Sequence, residues 1–281
     1  MHAELSTLST PAPSWRPPLL VKASVAWHVG VVAATVALPL DWPWAAGAIA
    51  LNHALLVGIS VWPRSTWLDG NLVRLPAAAR ARREVAITID DGPDPEVTPR
   101  VLDLLDAAGA RATFFLIARR AREHAALTHE IVRRGHSVQN HTHDHSHAFS
   151  FYGLKRLAAE IGAAQQVLAD LTGSRPTFFR APAGVRSPLL GPVLHRLDLR
   201  LVAWTRRGFD TAETRPERVL GKLGGALGPG DILLLHDGNA ARAAGGTPVI
   251  LEVLPALLDR LAQQGLAAVT LPQACAVEGG T

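Results

Sequence analysis

Apolar and polar positions fall into three regimes along the chain. Residues 1–18 are polar and carry four prolines. Two nearly unbroken apolar runs follow, Leu19 to Leu38 and Trp44 to Val61, separated by Pro-Leu-Asp-Trp-Pro at 39–43. Each run approaches the roughly 20 residues a membrane helix needs. From Glu84 the pattern changes to short β-rich runs at Val85–Ile89, Ala112–Ile117, Ser137–Asn140, Thr177–Phe179, Leu199–Trp204, Ile232–Leu235 and Leu266–Leu271. Stretches of helical period lie between them, at Pro99–Ala108, Arg119–Arg134, Gly153–Leu171 and Pro248–Gln264. Strands alternating with helices predict parallel strands joined by right-handed crossovers. Seven runs in so short a span predict an α/β fold, a small or incomplete (β/α) barrel of about seven parallel strands; an open sheet also satisfies the pattern. In a barrel, function gathers at the carboxyl ends of the strands.

The same pattern divides the chain into a flexible tail (1–18), a two-helix membrane hairpin (19–63), a linker (64–83) and a catalytic domain (84–275). Six of the seven tryptophans lie in the first 67 residues. Trp15, Trp42, Trp44, Trp62 and Trp67 stand at or near the run ends, where interfacial anchors sit. Lys22, His28, Asn52 and His53 interrupt the apolar spans, and a buried helical hairpin or an uncleaved signal sequence are the competing readings. A hairpin leaves both ends on one side. Arg16 and Lys22 precede it, five arginines follow it by residue 83, and the turn between the spans has neither Lys nor Arg. The positive-inside rule then places an integral protein of a bacterial-type inner membrane with its main domain in the cytoplasm, and miscounting one span reverses that side.

Composition adds two constraints. The apolar content of 48% and mean hydropathy of +0.16 are high for a purely soluble protein, and the excess sits in the front segment. The formal charge of +4 sits there too. Before Glu84 seven Lys/Arg face three acids, and from Glu84 onward the two counts are equal. Nucleic-acid binding by the main domain thereby loses its support. The single cysteine, Cys275, excludes an internal disulfide framework and any zinc site built from several cysteines.

The chemistry concentrates at predicted strand ends. The first strand delivers Asp90 and Asp91, and Gly92-Pro93 stops it at once. Adjacent carboxylates repel, so a site that keeps two usually gives one to a cation and leaves the other to take a proton; a polar turn is the alternative. The third strand is followed by Asn140-His141-Thr142-His143-Asp144-His145, and the fourth by Arg180-Ala181-Pro182-Ala183-Gly184. Trp204 and Asp210 follow the fifth, and Leu235-His236-Asp237-Gly238 the sixth. His141 and His145 are four apart, so one helical turn would bring both imidazoles to one side to share a cation with a carboxylate, with positions left open for water and substrate. His143 and His147 receive no role.

With these motifs in order, the chain resembles the polysaccharide deacetylases of carbohydrate esterase family four over about residues 84 to 272. The resemblance implies that Asp90 is the general base and that Asp91, His141 and His145 ligate a divalent metal, zinc first, with cobalt or another divalent cation as alternatives. It implies that Arg180 holds Asp90, that His236 is the general acid paired with Asp210, and that Trp204 and Leu235 line an acetyl pocket. Pro182 and Ala183 fall on the substrate side, with the Ala183 N–H as an oxyanion donor. Two positions depart from the family's habit: Ala183 where an aromatic often follows the proline, and Thr211 where a tryptophan often follows the aspartate. Both bear on the polymeric substrate more than on the chemistry. The function implied is metal-dependent removal of an N-acetyl group from an amino sugar in a glycan or lipid-linked saccharide. A deformylase or O-deacetylase on the same fold, or a non-catalytic tethered glycan-binding domain, are the alternatives.

Overall fold

The computed structural model describes residues 15–38 and 41–276; expectations that fall on 1–14, 39–40 and 277–281 lie outside the described residues. Eight strands are present among the described residues: β1 (Glu84–Asp90), β2 (Ala112–Leu116), β3 (Ser137–Asn140), β4 (Phe178–Phe179), β5 (Arg200–Leu201), β6 (Arg206–Arg207), β7 (Ile232–His236) and β8 (Ala267–Ala268). Seven form one parallel path, β5-β4-β3-β2-β1-β7-β6, and β8 pairs with the start of β1. This is the incomplete parallel (β/α) barrel that the apolar runs predict. β6 escaped the hydrophobic pattern because it consists of two arginines, held in register on β7 by Arg206↔Leu233 and Arg207↔Leu234.

Eleven α-helices accompany the strands among the described residues: α1 (Leu19–Ala37), α2 (Trp42–Ser60), α3 (Ala77–Ala81), α4 (Thr98–Ala107), α5 (Ala118–Glu123), α6 (Ala125–Arg133), α7 (Leu154–Thr172), α8 (Leu190–Arg196), α9 (Pro216–Gly224), α10 (Val249–Gln263) and α11 (Leu271–Cys275). Strand alternation sorts the core. Ile87, Ile89, Phe114, Leu116, Leu233 and Leu235 point outward and are buried beneath Val101 and Leu105 of α4, Leu168 of α7 and Leu254 and Leu257 of α10. Ala86, Phe115, Ile232 and Leu234 point inward, where Trp204, Leu75, Ala79 and Leu271 cover them. At about 1.5–3 kcal/mol for each fully buried large apolar side chain, the outer layer supplies most of the drive to fold.

The segment expected as a linker lies along this domain. Leu72 pairs with Val202, taking the Ala203 N–H and giving its own N–H to Leu201, while Leu75 bonds the Gly230 carbonyl. Leu68, Leu75 and Ala79 are buried. Residues 64–83 therefore close part of the open side of the barrel.

α1 and α2 are each long and apolar enough to cross a membrane. Nineteen residues at about 1.5 Å each nearly match a hydrocarbon core of roughly 30 Å. Their side chains are largely exposed: only Ser24 of α1 and Ile59 and Ser60 of α2 are buried, which removes the reading of a buried core hairpin. Polar residues inside the spans find partners across the pair. Asn52 donates to Ser24 Oγ at 2.7 Å, Trp27 Nε1 donates to the Ala48 carbonyl at 3.0 Å, and His28 and His53 meet edge to face. The hairpin is fixed to the domain at its exit, where the Arg186 N–H reaches Ser60 O and its guanidinium reaches Trp62 O.

Candidate active site

The carboxyl ends of β1, β3, β4 and β7 and the loop after β6 converge on one cleft of about 220 Å³ lined by Asp90, Asp91, His141, His145, Ala183, Trp204 and His236, among others. β1 carries Asp90 inward, because Thr88 and Asp90 share the face opposite Ile87 and Ile89. Arg180 enters from beneath, 1% exposed. Its guanidinium bonds Asp90 Oδ1 at 2.6 Å, Thr88 Oγ1 at 2.9 Å and Ala203 O at 3.0 Å, and lies over the Phe115 ring at 4.2 Å. Burial lowers the Arg180 pKa against the pull of Asp90, yet a guanidinium stays charged throughout. The ion pair leaves Asp90 Oδ2 facing the cleft, 3.8 Å from His141 Nε2.

Asp91 Oδ1 lies 3.3 Å from His141 Nε2 and 3.2 Å from His145 Nε2, and the three donor atoms fall within 4.8 Å of one another. Metal–ligand bonds of about 2.0–2.2 Å in a tetrahedral shell separate donors by roughly 3.3–3.5 Å, so the two distances from Asp91 Oδ1 suit a small divalent cation. Asp91 Oδ1 is also buried without a hydrogen-bond partner, an oxygen whose natural complement is a cation. The supports are in place. His141 Nδ1 faces the Arg180 carbonyl at 2.8 Å, which turns Nε2 to the cleft, and Asn239 donates to Asp91 Oδ2 at 2.9 Å. Burial works against charge on Asp91, but the approach of His141 and the neighbouring histidines hold its carboxyl well below the usual range. Burial likewise opposes charge on His141, and Asp90 and Asp91 overcome it, raising its pKa. For His145, burial and the nearby His141 prevail and lower it to about 4.

The two histidines converge through a loop. No helical turn joins them: Thr142 and His145 both adopt left-handed backbone, with φ of 69° and 54°. Asn140 Oδ1 accepts the Thr142 N–H and Thr142 Oγ1 accepts the His145 N–H. The expected helical turn is thus replaced by a strained bend that serves the same end. Asp91, Ala183 and Phe209 are left-handed as well. Such backbone costs on the order of 1–3 kcal/mol per residue and gathers where geometry serves a site.

His236, at the end of β7, gives Nδ1 to Asp210 Oδ1 at 2.9 Å, and its backbone N–H meets Asp210 Oδ2 at 2.7 Å. One buried carboxylate thereby fixes the ring and leaves Nε2 for the cleft. Burial would lower the His236 pKa; Asp210 outweighs it and raises it above the ordinary value. Pro182 is buried beneath the exposed Ala183, whose N–H has no partner among the described residues. Trp204, 7% exposed, forms a wall.

Leu235 is the exception. It was expected to line the pocket, but it points into the outer core at 0% exposure while Leu234 lines the cleft. With His236 facing in, period-two alternation sends Leu235 out; that rule could have found the right residue in the sequence. Asn239, Thr88 and Arg207 were also missed. Asn239 lies three residues past His236 in a turn, Thr88 two before Asp90 on the same face, and Arg207 in a strand without an apolar signal.

Known proteins resemble this chain. A family profile for polysaccharide deacetylase matches residues 77–202. A chitooligosaccharide deacetylase of Azorhizobium caulinodans is 34% identical over 195 residues, spanning 67% of this chain and 92% of its own. The chain belongs to the polysaccharide deacetylase family. Within the family, a peptidoglycan-N-acetylglucosamine deacetylase of Bacillus cereus is 31% identical, covering 67% of this chain and 86% of its own. A family 4 carbohydrate esterase from Streptomyces lividans, solved with acetate, superposes at a TM-score of 0.60 with 28% identity, over 69% of this chain and 96% of its own. The chain thus falls among the polysaccharide N-deacetylases, hydrolases acting on carbon–nitrogen bonds.

Proposed function

We propose that the chain is a metal-dependent hydrolase that removes the N-acetyl group of an amino sugar, anchored in a membrane by α1 and α2. The single observation that carries this is the unpartnered Asp91 Oδ1 between two imidazole nitrogens, beside an acid held by Arg180 and across from a histidine held by Asp210. Asp91, His141 and His145 would hold the cation, and two nitrogens with one oxygen suit zinc, with cobalt as a workable substitute. When bound there, a divalent cation polarises the acyl oxygen and makes a water acidic near neutral pH.

The chain's own residues do the rest. Asp90 Oδ2, free of the Arg180 bond, accepts the proton of the attacking water. The Ala183 N–H, presented by left-handed backbone, donates to the oxygen that gains charge. His236, whose proton Asp210 helps to hold, gives its Nε2 proton to the nitrogen as the carbon–nitrogen bond breaks, so that acetate and an amine result. Trp204 and Leu234 exclude water around the acyl methyl.

Substrate and side follow from the front of the chain. The relatives' names point to N-acetylglucosamine in chitooligosaccharides and peptidoglycan. The exposed apolar hairpin favours a membrane-proximal or lipid-linked form of that sugar, and the basic flanks favour the cytoplasmic side. Residues 64–275 are the catalytic unit on this reading, since 64–83 pack into it.

The test is acetate release from N-acetylglucosamine oligomers and from lipid-linked N-acetyl sugars, with and without chelator. Activity that dies in chelator, returns with zinc or cobalt and is absent in Asp91→Ala is expected. Full activity in that variant would refute the metal role, and formate in place of acetate would move the acyl group. A reporter fused to the carboxyl terminus reads the side.

A further inference from the structure

A second cavity, of about 410 Å³, shares Trp204 and Arg207 with the catalytic cleft and runs toward the exit of the hairpin, where Trp62, Pro63 and Arg64 line it. Its charge is one-sided. Arg64, Arg206, Arg207 and Lys222 line it and no carboxylate does. Arg206 is satisfied by Asp231 Oδ2 at 2.8 Å and by the Ala226 carbonyl. The other three are not matched by acids. Arg64 has the Thr205 carbonyl at 3.3 Å, and Lys222 Nζ stands 5.0 Å over the Phe209 ring. Arg207 lies over Trp204 and Phe209 at 5.4 and 5.1 Å, with its Nε buried and without a hydrogen-bond partner. The register Arg207↔Leu234 turns it to the inner face, beside the cleft. Glu213 is the nearby acid that feels Lys222, and it already pairs with Arg215 and Arg218.

Three cations around one cavity repel, and a half-buried guanidinium with an orphaned donor is costly unless an anion completes it. Guanidinium and ammonium donors are the groups that recognise phosphate oxygens. Location names the class of anion. Trp62 and Pro63 begin just past α2, so the cavity opens where the hairpin leaves the apolar phase. Pro63 also touches the catalytic loop: a Cβ on Gly184 would lie 2.5 Å from Trp204 Cη2 and 2.9 Å from Pro63 Cβ. The cleft itself, at about 220 Å³, lies below the roughly 300–1,000 Å³ of pockets that enclose drug-sized ligands, so its scale is that of a single sugar. Arg207 lines both this cleft and the second cavity, so a sugar seated in the cleft has the cations beside it.

We propose that this cavity binds the phosphate or diphosphate ester through which the amino sugar is carried on a membrane lipid. The inference rests on the deacetylase reading and specifies its substrate: a phosphate-linked lipid monosaccharide, its linking group held by Arg64, Arg207 and Lys222.

The experiment uses the full chain in detergent with zinc. Three substrates are compared: a polyprenyl-phosphate N-acetyl amino sugar, an uncharged alkyl glycoside of the same sugar and chain length, and the free sugar 1-phosphate. Charged hydrogen bonds of about 1.5–3 kcal/mol lead to an expected kcat/KM preference of roughly tenfold or more for the phosphate-lipid over the uncharged glycoside. The double variant Arg64→Gln/Lys222→Gln should abolish that preference through KM and leave the uncharged glycoside within about twofold of wild type. A preference that survives the double variant overturns the subsite. Equal turnover of the free sugar phosphate upholds the anion and overturns the lipid carrier. If the zinc-loaded chain turns over none of the three, the deacetylase reading has failed, and the subsite is judged by binding alone. Geranyl diphosphate is then titrated against tryptophan fluorescence. Saturable binding that weakens about tenfold or more in the double variant upholds an anion site, and equal binding in both proteins overturns it.

Discussion

Arg180 and Asp90 meet at 2.6 Å inside the sheet, both nearly closed off from solvent. The same contact ties the fold to the chemistry, since Arg180 reaches from β4 to β1 and to the carbonyls of Val202 and Ala203. Removing one partner of a buried pair strands the other, at about 3–5 kcal/mol. Arg180→Ala should therefore lower unfolding free energy by about that amount, read by denaturant titration in detergent. A loss under about 1 kcal/mol would show that Asp90 does not need its partner.

Asn239 should act on the cation without touching it. Its amide holds Asp91 Oδ2, so Asn239→Ala frees the ligand to swing. Outer partners of this kind are worth about 10–100-fold in metal affinity. Competition with a chromogenic chelator gives the number directly. Unchanged affinity would mean that Asp91 is held by the backbone alone.

Asp210→Asn tests the acid. The carboxylate raises the His236 pKa, so the charged imidazole persists to higher pH in the wild type. Without it the pKa falls, and the alkaline limb of the rate profile should move to lower pH by about 1–3 units. A limb that stays in place would assign the proton elsewhere.

Metal loading should be proton-coupled. His141 has a raised pKa and must lose its proton to ligate, whereas His145, lowered to about 4, is already neutral near pH 7. Affinity then falls as pH drops below the His141 value. Calorimetry in buffers of different ionisation enthalpy, run at about pH 5.5 where a metal-bound water of pKa about 7 keeps its protons, should find one proton released at most. Two would contradict the neutral His145.

His136 gives a stability prediction far from the cleft. Burial lowers it to about 4 from 6.5, helped by the charge of Arg111, while its Nδ1 accepts the Ala112 N–H. The unfolded chain binds that proton first. Stability is thus fully present above pH 6.5 and is lost as pH falls toward 4, by up to about 3 kcal/mol before screening reduces it. His136→Gln, which can still take the N–H, should flatten this slope in acid-titration melts.

Much of the architecture was readable from residue pattern because parallel strands covered on their outer face are continuous apolar runs, as at Ala112–Leu116 and Ile232–His236. β6 was not, since Arg206 and Arg207 gain their strand geometry from β7 rather than from propensity. At the site, Asp90, Asp91, His141, His145, Arg180, Trp204, Asp210 and His236 come together as their motifs implied. The motif could not give the left-handed bend at Thr142 and His145, which depends on Asn140 accepting a backbone N–H. Leu235 was placed in the pocket by the resemblance, but the pleat sends it to the face opposite His236.

The clasp of Pro63 and Trp204 around Gly184 makes the segment just past α2 a structural component of the cleft. Arg186 reinforces the joint by gripping the last turn of α2 through Ser60 and the residue beyond it through Trp62. Trimming the chain up to Pro63 would thus remove one jaw of a vice that closes on Gly184 with Trp204 as the other jaw.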